Sequence, residues 1–115
     1  MDSILDSIKK NLGIPLEETH FDGELIININ SNISVLKQLG VGTPSFVVYD
    51  NSDLWSEFID VEIDDLIPMA TMFVYLKTKL IFDPPLSGTV IDAFKTQIAE
   101  TEWRIVERVK EVTIV

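Results

Sequence analysis

The chain has 115 residues, with nineteen acids against nine bases, a formal charge of −10, 46% apolar residues and no cysteine. One domain, 1–115, with its own core fits that length, and the apolar content is too high for a disordered acidic tail. The charge opposes binding to phosphate backbones or anionic membranes, and the lack of cysteine excludes disulfides and thiolate metal sites and fits a reducing cytoplasm.

The first stretch, Met1 to Ile14, lacks the cationic start and apolar core of a signal peptide, so no export is expected. Ser3 is placed to cap a short helix in which Ile4, Leu5, Ile8 and Leu12 share one side. Gly13 supplies a left-handed end and Pro15 bars continuation. Leu16 to Phe21 reads as a loop holding the single histidine, His20, beside Glu17, Glu18 and Asp22. With no second His or Cys to complete a ligand set, His20 reads as a surface residue.

Asp22 to Leu39 carries two signals. Leu25 to Asn30 is β-branched and partly alternating, which is strand-like over six residues. Over the longer window Ile26, Ile29, Ile33 and Leu36 recur at helical spacing, Asp22 can cap and Gly40 can terminate, so the segment is predicted helical. Gly40 to Pro44 is a loop, and Phe46 to Tyr49 has the composition of a short strand bounded by a turn at Asp50-Asn51. Ser52 is placed to cap a short helix running to Phe58, with Leu54, Trp55 and Phe58 on its buried side.

Asp50, Asp53, Glu57, Asp60, Glu62, Asp64 and Asp65 form an acidic run. It lacks the alternating oxygens and glycine of a calcium loop, and no neighbouring base or nucleophile makes it catalytic. Solvated loops and helix caps account for it. Leu66 to Phe82 follows, a helix apolar nearly all round and therefore expected at the centre of the fold. Leu66, Met69, Ala70, Phe73, Leu76 and Leu80 share one face, and Ile67, Val74 and Ile81 lie beside it. Met72 and Tyr75 fall on the far side. Asp64 or Asp65 can cap it, Pro68 fits its first turn, and Pro84 ends it. Its two lysines and modest length argue against a membrane span.

Thr89 to Glu111 reads as a second long helix, roughly 35 Å in length. Its stripe is Ile91, Phe94, Ile98, Ile105 and Val109, and Trp103 points away from it. A tryptophan off the stripe either packs under its own chain or serves a neighbour, and tryptophan is enriched at binding hot spots. The apolar, β-prone tail Val112–Val115 is a candidate arm for addition to another subunit. No phosphate loop and no Ser/His/Asp or Cys/His set occurs, so no enzyme activity and no cofactor is expected.

The order of these elements resembles the small head–tail connector, or head-completion adaptor, proteins of tailed phages and prophages. The resemblance is carried by the Ser3–Ile14 helix, by Gln38-Leu39-Gly40-Val41-Gly42 and by Trp55 in its short helix. It continues through the aromatic helix closing on Leu80-Ile81-Phe82-Asp83-Pro84-Pro85 and the long helix with Phe94 and Trp103. It implies a helical, non-catalytic virion protein forming a homo-oligomeric ring between portal and tail-completion proteins. DNA passes through its channel without sequence-specific binding, no membrane is involved, and assembly takes place in the host cytoplasm.

The expected fold is a mostly α single domain of four to five helices. Two long antiparallel helices are joined by the Pro-Pro turn, with at most one short internal strand or hairpin. The expected interface residues are Trp103, Val106, Val112, Ile114 and Val115. The competing reading is a small acidic protein-binding regulator or inhibitor that presents its carboxylates to a basic partner.

Overall fold

The structure, a computed structural model, describes residues 2–60, 63 and 65–113. Five helices are found among them: α1 (Ile4–Leu12), α2 (Asp22–Gln38), α3 (Trp55–Phe58), α4 (Leu66–Phe82) and α5 (Gly88–Thr113). α4 is the hub, since α1, α2 and α5 all pack on it. Its composition explains the position. Leu66, Ala70, Phe73 and Leu76 are buried on one side and Val74 on another, so more than one face needs a neighbour. Tyr75 tilts against Phe94 of α5, with ring centres 6.4 Å apart. Asp65 precedes α4 without making a side-chain cap; its carboxylate instead lies 2.8 Å from Arg108 of α5. Asp64, the other capping candidate, falls outside the described residues.

Both ends of α1 follow the sequence. The Ser3 hydroxyl accepts from the Asp6 amide at 3.2 Å, and Gly13 closes the helix at φ 80°. The helix also buries a charge. Lys9 is 1% exposed, and its Nζ donates to the Leu16 carbonyl at 3.0 Å and the Glu18 carbonyl at 2.6 Å. Asp22 Oδ1 lies 2.9 Å away. Two hydrogen bonds and an adjacent carboxylate thus compensate the ammonium, which is the condition under which a lysine tolerates burial. Asp22 is therefore spent on Lys9 rather than on capping α2, which begins with no side-chain cap.

Residues before α1 are clipped to the entry of α3. The Ile4 amide donates to Asp53 O at 3.0 Å, and the Trp55 amide donates to Asp2 O at 2.9 Å. The buried Trp55 indole donates to Ser7 Oγ at 3.0 Å. α3 itself starts at Trp55, later than expected. Ser52 does not cap it, because its hydroxyl donates to Asp50; the Glu57 carboxylate accepts from the Leu54 amide at 2.8 Å instead.

In α2 the helical period prevails over the strand-like hexapeptide: Leu25, Ile29, Ile33 and Leu36 are all buried. Asn32, on the same side, donates to the buried Thr78 hydroxyl of α4 at 3.3 Å. The strand expected at Phe46–Tyr49 does not form. Among the described residues the sole β-type pairing is the isolated Ser3–Leu54 bridge, so this segment has no ladder to join. The Asn30 carboxamide takes the partner's place, donating to Val48 O at 2.8 Å and accepting from the Val48 amide at 2.9 Å.

Gly42 lies in the loop after α2 at φ 78°, and a Cβ there would sit 2.3 Å from Phe58 Cε1. Gly42→Ala combines a left-handed backbone penalty with displacement of a buried ring. A loss of about 2 kcal/mol in unfolding free energy is expected, read from a urea titration followed by circular dichroism.

α5, spanning 26 residues, runs along one edge of a flat molecule measuring 43 × 34 × 20 Å. Ile105 is its one fully buried side chain among the described residues; Ile98 and Val109 are half-buried against the core, and Ile91 and Phe94 are half-buried, Phe94 beside Tyr75. The helix outruns its expected end: Val112 is helical rather than extended, because the α5 ladder continues through Thr113. Ile114 and Val115 lie outside the described residues.

Candidate interaction surfaces

The titratable residues that sequence alone could nominate for chemistry are occupied locally. Glu18 accepts the His20 amide at 2.9 Å, and the exposed His20 ring stands edge-on to Phe21 at 4.8 Å. Within the acidic run, Asp53 Oδ2 accepts the Tyr49 amide at 2.7 Å and the Asp50 amide at 3.1 Å. Hydrogen bonds from the Ser52 hydroxyl and amide hold the Asp50 carboxyl below its ordinary value. Arg108 bonds Asp65 and Glu111, and both carboxylates raise its pKa. These acids organise turns and tie α4 to α5. Among the described residues no cluster of His, Asp or Glu has the geometry to hold a metal ion, and no helix is long and apolar enough to cross a membrane.

What the surface offers instead is apolar contact. On α5, Trp103 is 64% exposed and Val106 is half-buried. They lie about 60° apart around the axis, whereas Val112 is about 180° from Trp103, on the side of Ile105. The structure thus brings Trp103 and Val106 together on the outer face of α5 and assigns Val112 to the inward one. Beside this face, Met72 of α4 lines a shallow cleft with Gln97, Glu100, Thr101 and Arg104 of α5. Arg104 Nε stands 3.9 Å from Glu100, a loose surface pair.

A second apolar surface joins α2 to the end of α4. Ile27 is 71% exposed and Ile81 is 68% exposed; with Glu24, Asn28 and Phe82 they line an open groove. Phe21 packs edge-on against Phe82 at 5.3 Å, closing one end of the patch. The fully exposed Leu86 follows the Pro-Pro turn. Sequence reasoning missed this groove by counting Ile81 among the core strips of α4. Its signal was the one that singled out Trp103: Ile27 lies about 160° from Ile29 and is an apolar residue off the buried stripe.

Single exposed apolar residues are ordinary; here two isoleucines stand exposed together across two helices. Neither a curated protein nor a solved structure matches the chain. The profile of one protein family, described as phage connector protein, matches residues 4–111, from the first residue of α1 almost to the end of α5. The span takes in α1 to α4 whole, α5 as far as Glu111, and both apolar surfaces. The chain therefore belongs to the phage connector protein family, structural components of the virion that associate with other head and tail proteins.

Proposed function

We propose that copies of this protein assemble into a ring between the portal and the tail-completion proteins, lengthening the channel through which DNA leaves the head. The family match across 4–111 carries this reading. The protein does no chemistry in this role, and assembly takes place in the host cytoplasm before the virion is complete. A channel wall must let a polyanion pass without holding it, and the net charge of −10 suits that task. The proposed contact residues are Trp103 and Val106 on the outer face of α5, with the chain end from Val112 through Ile114 and Val115 reaching a neighbouring subunit or the portal.

Two variants test the reading: Trp103→Glu, and deletion of residues 112–115. Trp103 is exposed, so the charged variant is expected to keep the wild-type circular dichroism spectrum and thermal midpoint. Each variant is expected to block joining of tails to DNA-filled heads, counted by electron microscopy. Normal yields of complete virions from both would overturn the proposed role of this surface.

A further inference from the structure

We infer that neighbouring copies meet head to tail, with Trp103 of one inserted into the Ile27–Ile81 groove of the next and Arg104 of the first facing Glu24 of the second. This rests on the ring reading above and specifies the contact that such a ring would use.

The argument begins with α4. Its two most exposed apolar side chains, Met72 and Ile81, are nine residues apart and hence about 180° around the axis. Met72 opens to the α5 side and Ile81 to the α2 side. The molecule therefore carries two unlike apolar surfaces on opposite flanks of its central helix. Two unlike surfaces on opposite flanks can meet each other in a heterologous contact that repeats from copy to copy.

Shape and charge match the two surfaces. The α2–α4 surface is concave, floored by Ile27, Ile81 and Phe82. α5 presents an indole standing 64% exposed on a helix. Glu24 lies at the groove and makes no ion pair among the described residues, while Arg104, next to Trp103, is held loosely by Glu100 at 3.9 Å. Copies of charge −10 repel one another, so an apolar contact between them needs a local opposite-charge pair to set its register. α5 is suited to supply the cation, because it carries Lys95, Arg104, Arg108 and Lys110, four of the nine bases in the chain.

The absence of native cysteine allows a direct test. Purified protein carrying both Asn28→Cys, at the groove, and Glu107→Cys, one turn from Trp103, is oxidised at millimolar concentration. The salt is about 0.15 M, where the screening length of about 8 Å suppresses repulsion between whole molecules but not between adjacent side chains. The expected result is a ladder of disulfide-linked multimers, with dimers as the limit for a mixture of the two single-cysteine variants. Efficient dimers from Glu107→Cys alone would show a two-fold contact and overturn the proposal, as would a double variant that stays monomeric.

A cysteine-free measurement stands beside it. In a Trp55→Phe background, Trp103 emission is expected to shift to the blue as concentration rises. Arg104→Glu should weaken that association about tenfold, and adding Glu24→Arg should restore it. A shift insensitive to both charges would also overturn the contact. These readouts use the isolated protein. A failed ladder with variants that still block virion assembly would reject this contact and keep the connector role; an intact ladder with normal virions would reject the role.

Discussion

Replacing Lys9 with methionine lowers the unfolding free energy by about 4 kcal/mol, the scale for removing one partner of a buried ion pair. Methionine retains most of the volume, so the loss isolates the polar contacts rather than a cavity. Two carbonyls, Leu16 O and Glu18 O, lose their donor, and Asp22 loses its counter-charge. The Asp22 side chain is 25% exposed and regains some water, which keeps the loss from growing further. Adding Asp22→Asn to Lys9→Met should cost less than the separate effects combined, because the stranded carboxylate is gone. Urea titrations of the four proteins of this cycle measure the coupling. Strict additivity would mean that Lys9 and Asp22 are not coupled, and a loss below about 1 kcal/mol for Lys9→Met that the ammonium contributes no net stability.

Trp55→Ala is expected to cost about 4 kcal/mol, since it empties the largest of the fully buried side-chain sites and leaves a cavity between α1 and α3. It also removes the donor to Ser7 that helps fasten the N-terminal segment. Trp55→Phe keeps much of the apolar volume and removes the indole N–H, so its loss should be nearer 1–2 kcal/mol. Calorimetric midpoints for the pair separate packing from hydrogen bonding. Equal losses for Ala and Phe would assign the whole effect to the Ser7 bond.

Long periodic elements were legible because their information is local. The α4 boundaries, Leu66 and Phe82, follow from an acidic start and a proline stop, and α1 from Ser3 and Gly13. α2 shows that buried spacing across seventeen residues outweighs a β-prone hexapeptide within them. Where sequence reading failed, the deciding partner lay far along the chain. Phe46–Tyr49 has strand composition, but a strand needs a neighbour, and the neighbour here is the side chain of Asn30. Asp22 and Asp65 look like caps until Lys9 and Arg108 arrive to claim them. On the surface, the exposure of Trp103 is legible in its position off the α5 stripe. The groove at Ile27 and Ile81 is not legible, because Ile81 reads as part of an apolar strip of α4 although it stands exposed.

The uneven anchoring of α5 has a kinetic consequence. Its C-terminal half is held by Ile105, by Val109 close to Gly40 and by the Arg108–Asp65 pair, whereas its first turns rest on half-buried Ile91 and Phe94 alone. A helical segment with so little tertiary support opens at a free energy well below that of the whole domain. Amide protons near the start of α5 should therefore exchange with deuterium sooner than those of α4, although both belong to unbroken helices. The slow-exchanging core is α4 with the helices wrapped around it. The start of α5 is thus a faster-opening edge on an otherwise slowly exchanging molecule.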